Sequence, residues 1–204
     1  GEYIEFMAPG VIILTAIFTS IFGGVNTLWD RRYGFMNKAL TSPISRSAIA
    51  VGKMSAISLI AALQASLIIG IALAIGVTFP NPLMIIPIMG IVILFSLGFS
   101  GISVTLAATA KSQETFWGMI NLLGMPLFML SPALFPLELL PDWLAVVAKL
   151  NPVTYTILLV RELMTGVSEG GVPILLSVGV IFAFVIAMVA IASYVFTREV
   201  NKPF

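Results

Sequence analysis

Long apolar runs alternate with short polar ones along this chain. Five stretches, about 8–28, 54–78, 83–109, 117–135 and 173–196, contain no charged side chain. A helix needs about 20 apolar residues to cross roughly 30 Å of hydrocarbon, so each stretch is predicted as a span. The fourth carries Pro126 and Pro132 and is predicted to be kinked or broken. The pattern gives an all-α, polytopic helical membrane protein, with residues 1–204 as a single transmembrane domain.

Residues 136–172 are too polar for a simple span and too apolar for a plain loop. Pro141-Asp142 is a helix start, followed by Trp143, Leu144, Val146, Val147 and Leu150 on one face. Asn151-Pro152 is a second start, N-cap then first turn, and Gly166 closes that helix. Two short amphipathic helices within 136–166 are expected to dip into or lie along the outer leaflet, with Trp143 and Tyr155 at the headgroups. A sixth span through 143–164 would instead bury Lys149, Asn151, Arg161 and Glu162.

Composition agrees with this class. Hydrophobic residues are 59% and charged residues 9%, with a mean hydropathy of +1.11. Soluble domains hold about 25% charged residues. The chain has no cysteine and no histidine, which excludes thiol chemistry and the commonest metal ligand and proton shuttle. Charge is distributed unevenly between the connections. Segments 29–53, 110–116 and 197–204 hold Arg31, Arg32, Lys38, Arg46, Lys53, Lys111, Arg198 and Lys202. The opposite side has only Lys149 and Arg161, with Glu2, Glu5, Glu138, Asp142, Glu162 and Glu169. The basic side is therefore predicted to be cytoplasmic, with a cytoplasmic C-terminus. Five spans then start outside and end inside. The chain, beginning at Gly1, is expected to be a piece whose first span lies upstream.

No Asp, Glu, Lys, Arg or His lies inside a predicted span, so coupling to a proton gradient has no visible means. Gln64 and Asn121 are the conspicuous intramembrane polar residues, suited to interhelical hydrogen bonds or to a substrate or ion site. Gly52-Lys53 is no phosphate loop, because Ser47 stands where glycine is needed and Met54 replaces the Ser or Thr. Lys53 reads as an interface anchor, and catalysis by this chain is not expected. Ala62, Ser66, Gly70 and Ala74 form a small-residue ridge at i+4 spacing, either a dimer seam or an internal packing face. Gly98, Gly101 and Thr105 are a weaker version.

The basic island 29–53 holds half of the chain's ten Lys and Arg. Residues 31–41 are predicted as a short helix with Phe35, Met36, Ala39 and Leu40 on one face and Asn37, Lys38 and Thr41 on the other. Pro43 ends it, and Ser45 or Ser47 caps a long helix through the second span, with Arg46 and Lys53 snorkelling to headgroups. A loop that only sets topology explains the charges but not Tyr33, Phe35 and Met36. A helix in the lipid interface, or one received by a partner's groove, explains both.

The runs YIEFMAPG (3–10), GGVNTLWDRRYGFMNKALTSPISRSAIAVGK (23–53), LSPALFPLELLPDWL (130–144) and NPVTYTILLVREL (151–163) resemble the permeases of type-2 ABC exporters. That group includes daunorubicin-type drug, polysaccharide and lipid exporters. The resemblance implies six spans with the first absent here, a coupling helix at 31–41 and outer re-entrant helices. It also implies a permease dimer, homo- or heteromeric, with two ATP-binding subunits that hold ATP and Mg while this chain holds no cofactor. By that match Arg31, Arg32, Tyr33, Gly34, Phe35, Met36, Asn37 and Lys38 are ATPase-coupling residues. Lipid is a further partner, and no nucleic acid is expected. An independent channel or secondary carrier, and a non-transporting scaffold that binds anionic lipid, are the competing readings.

Overall fold

The computed structural model describes residues 2–77, 79–133, 141–168 and 171–199. The helices are α1 (Glu2–Arg32), α2 (Phe35–Leu40), α3 (Arg46–Ile75), α4 (Ile85–Thr109), α5 (Gln113–Met129), α6 (Asp142–Lys149), α7 (Pro152–Thr165) and α8 (Ile174–Glu199). A single 3-10 turn, Pro82–Met84, leads into α4. Helix is the only regular structure among the described residues.

Helix α4 is central and packs against α1, α3 and α8. Small residues set these approaches. A Cβ built on Gly24 of α1 would lie 2.6 Å from Ser103 Cβ of α4, and one on Gly98 of α4 would meet the Phe184 ring of α8 at 2.9 Å. Helix α3 buries Ser58, Ala61, Ala65, Ile69 and Ala72, so its inner face is mostly alanine. Without a strong hydrophobic drive between helices in lipid, close packing of small faces supplies much of the association.

Four helical stretches are long and apolar enough to cross a membrane: Glu5–Arg32, Arg46–Ile75, Pro82–Thr109 and Ile174–Glu199. The pair α6 and α7, bent by 87°, is a broken span or a re-entrant loop and brings the number to as many as five. The fourth predicted span, 117–135, differs in extent. Its helix α5 starts earlier, at Gln113, and has 17 residues. Ser112 starts it by accepting from the Thr115 amide at 3.1 Å, and the helix gives way to a turn after Met129. Pro126 lies within its last turn. Residues 134–140, including the predicted start of the outer helices, lie outside the described residues.

Of the two outer helices, expected to dip into or lie along the outer leaflet, α7 packs into the bundle. Val153, Ile157, Val160 and Met164 join the main core, and Leu159 packs with Ile181 and Val185 of α8. Helix α7 is apolar on several sides and is therefore enclosed by the bundle. Helix α6 keeps an exposed face with Trp143 and Val146.

Local signals placed the helix ends well. Asn151 caps α7 by accepting from Val153 N at 3.0 Å, and Gly166 ends it at φ 74°. Ser45 caps α3, its hydroxyl accepting from Ala48 N at 3.3 Å. Ser45→Ala is expected to cost about 1 kcal/mol, seen as a modest drop in thermal melting in detergent, while Ser47→Ala changes little.

Candidate functional site at the basic end of the bundle

Helix α1 continues beyond its apolar run through Trp29, Asp30, Arg31 and Arg32. Gly34, at φ 77°, then reverses the chain in a left-handed conformation that suits glycine. The Asn37 amide donates to Gly34 O at 3.1 Å, and α2 follows. Helix α2 is thus Phe35–Leu40 and not 31–41, because Arg31 and Arg32 complete α1 and the glycine separates the two helices.

This change of start alters the faces. Successive residues on a helix point about 100° apart. Met36 is 3% exposed and joins a cluster with Met54 of α3, Ala108 of α4 and Phe196 of α8, with Leu40 packed against it. Phe35 is 63% and Tyr33 69% exposed, and Ile44 is also exposed. The predicted shared face of Phe35 and Met36 is therefore split. Met36 seats the elbow made by Gly34 and α2 on the bundle, while Tyr33 and Phe35 form an aromatic outer surface beside exposed Asn37 and Lys38.

Arg31 turns inward. Its Nη1 donates to the carbonyls of Ala107 at 3.0 Å and Ala108 at 2.6 Å, in the last turn of α4. Those carbonyls lack intrahelical partners and carry the negative end of the helix dipole, so a guanidinium fits there. Arg31 is a strut between α1 and α4, whereas Arg32 is exposed. Arg32 lines a cleft of about 260 Å³ with Trp29, Lys111, Ser112 and Glu114. Hydrogen bonds from its own backbone amide and from Ser112, aided by Arg32, hold the Glu114 carboxyl below its ordinary range.

Lys53, read as an interface anchor, is partly exposed at this end of the bundle. Its ammonium pairs with the Asp30 carboxylate, linking α3 to the end of α1. Both side chains are partly exposed, so Lys53→Met is expected to cost under about 1 kcal/mol. Melting at low and high salt checks this, with the difference from wild type shrinking as salt rises.

The remaining predicted residues are dispersed. In the ridge of α3, Ala62 is buried but Ser66, Gly70 and Ala74 are exposed, and a Cβ on Gly70 would meet no neighbour. The internal packing face of α3 runs instead through Ala61, Ala65 and Ala72. Gln64 accepts a hydrogen bond from the Thr19 hydroxyl of α1. Asn121 lies on α5 beside a small cavity formed with Ile17, Phe18 and Trp117. Gly98 and Gly101 face α8, and Thr105 donates to Gly101 O at 2.7 Å. Among the described residues no group of three or more acidic, His or Cys residues could hold a metal.

Residues 2–165, which include α1, the elbow and α7, match the profile of the ABC-2 type transporter membrane family. The chain belongs to this family. Among its relatives, transport permease ycf38 of Cyanophora paradoxa is 31% identical over 164 residues, covering 80% of this chain and 57% of the relative. Daunorubicin resistance ABC transporter permease protein DrrB1 of Streptomyces coeruleorubidus is 23% identical over 188 residues, 90% of this chain and 66% of that protein. Nodulation protein J of Sinorhizobium fredii is 25% identical over 184 residues, 89% and 69%. The chain spans a little over half the length of the ycf38 relative. As an ABC-2 family chain with several membrane-spanning helices, it is a multi-pass membrane protein.

Two features of this ABC-2 chain were missed in the sequence. Gly24 was not singled out, although the pair Gly23-Gly24 in an apolar run is the signal of a close helix approach, Gly23 facing Ile57 and Gly24 facing Ser103. Arg161 is 1% exposed in α7. Nothing in its local sequence shows the distant carbonyls that hold it.

Proposed function

We propose that this chain is the permease subunit of an ATP-driven exporter in the plasma membrane, with its basic end and C-terminus in the cytoplasm. The observation that carries the reading is the elbow. Tyr33 and Phe35 face outward, while Met36 seats the same short segment on α3, α4 and α8. Arg31 and Asp30 fasten the adjoining end of α1 to α4 and α3. A body pressing on the aromatic surface would displace several helices together.

The partner is a separate ATP-binding subunit, two copies serving two permease chains, and it supplies ATP, Mg and hydrolysis. Family membership and the name of the Streptomyces relative support this pairing. Tyr33, Phe35, Asn37 and Lys38 are the docking residues, Gly34 shapes the turn, and Arg31 and Met36 transmit. Arg32 borders the same surface. The exposed Ser66, Gly70 and Ala74 would face lipid or the second permease chain.

Purification of the full-length protein in mild detergent tests the reading. The expected result is an ATP-binding subunit, identified by mass spectrometry, in equal amount with the permease and hydrolysing ATP. Substrate flux in liposomes from the full-length chain alone, without ATP, would show a channel or carrier instead. Retention by anionic lipid only, lost in salt, would show a scaffold.

A further inference from the structure

At the end of the bundle remote from the elbow, three segments meet around one buried cation. Arg161 of α7 donates from Nη2 to Pro132 O at 3.1 Å and to Phe6 O of α1 at 3.4 Å. Its guanidinium also lies 3.8 Å from the centroid of the Phe6 ring. Nearby, α1 and the turn after α5 touch through backbone, since a Cβ on Gly10 would run into Ala133 O. The cation–π contact and the two carbonyls replace water around a charge that burial would otherwise penalise heavily. Separating α7 from α1 would strip those partners from a buried charge, so the two helices are costly to part.

Helix α1 is continuous over 31 residues, with Pro9 inside it near the Arg161 end, and about 46 Å long at 1.5 Å per residue. Arg31 and Asp30 hold its basic end, and Arg161 holds its other end. We infer that Arg161 is a latch that makes α7 move with α1, so that displacement at the elbow reaches the bent α6–α7 pair at the far end. Arg161 is a positioning residue here, and the inference rests on the exporter reading. Arginine suits the role because its planar fork reaches two carbonyls while its face stacks on an aromatic ring.

Glu5 of α1 and Thr165 of α7 line one small cavity at this end and can report the distance between the helices. The test uses the full-length permease in nanodiscs with its ATP-binding partner, free of other cysteines, with spin labels on Glu5→Cys and Thr165→Cys. Pulsed electron spin measurements are made without nucleotide and with ATP plus vanadate. Wild type is expected to give, within each permease chain, one narrow distance that is the same in both states. Arg161→Met, which keeps apolar volume but loses the cation, is expected to at least double the width and make the distance change with nucleotide. Arg161→Lys, the fallback where the Met variant does not insert, is expected to give a smaller broadening. An unchanged narrow distance in Arg161→Met, or in Arg161→Lys where that fallback is used, overturns the latch. So does a wild-type distance that already shifts with nucleotide. If the wild-type complex hydrolyses no ATP, the exporter reading fails, while the widths without nucleotide still decide the latch.

Discussion

Gly24→Leu is expected to remove most of the folded chain from the membrane. Gly24 lies where α1 crosses α4, and a Cβ there would stand 2.6 Å from Ser103 Cβ and 2.8 Å from Ser103 O. The second of these is backbone and cannot swing aside. The same contact carries hydrogen bonds, with Ser103 Oγ donating to Ser20 O at 2.6 Å and Ser20 Oγ to Ser96 O at 3.4 Å. A leucine would push the helices apart and leave those hydroxyls and the adjoining core poorly packed. Overpacking costs about 1–3 kcal/mol where side chains can yield, and the upper end or more is expected against backbone. Gly70→Leu, where a Cβ meets nothing, is the control and should be nearly silent. Yield of monodisperse protein in detergent and its melting temperature check the contrast, and equal tolerance of the two leucines would refute the crossing.

The second large effect separates two neighbours. Met36→Asp places a carboxylate among Met54, Val104 and Phe196, and burying an unpaired charge there costs several kcal/mol or drives the elbow off the bundle. Phe35→Asp alters only the exposed outer surface. The folded yield should therefore fall for Met36→Asp and stay near wild type for Phe35→Asp. Capture of the ATP-binding subunit should fall in both. Truncating an aromatic hot spot at an interface costs about 2 kcal/mol or more, so Phe35→Asp is expected to weaken capture about 30-fold or more. Melting and affinity measured on the same preparations distinguish loss of fold from loss of docking.

These two contrasts show what was legible in the chain and what was not. Uninterrupted apolar runs identified the long helices because length and absence of charge are local properties. Asn151, Gly166 and Ser45 marked helix ends for the same reason. Gly34 is an equally local signal, since its left-handed conformation separates Phe35–Leu40 from α1. Which face of a helix meets a neighbour was much less readable. The resemblance placed Arg31 among the coupling residues and the sequence placed Lys53 at the headgroups, and their contacts lay beyond reach, one capping α4 and the other pairing with Asp30. Arg161 argued against a membrane span through 143–164, on the rule that buried charge is costly. The cost is offset by Pro132 O, Phe6 O and the Phe6 ring, which are far from it in the chain. The small-residue ridge of α3 was similarly ambiguous, since spacing alone does not tell an inner face from an outer one.

The central claim is that a partner's motion enters through the outer face of the elbow. Photo-crosslinking from that face tests it most directly, with benzoylphenylalanine placed singly at Tyr33, Phe35 and Met36 of the full-length permease in native membranes. The account predicts adducts with an ATP-binding subunit from positions 33 and 35, varying with nucleotide, and none from 36. Adducts with lipid alone from 33 and 35, or equal capture from 36, would contradict it.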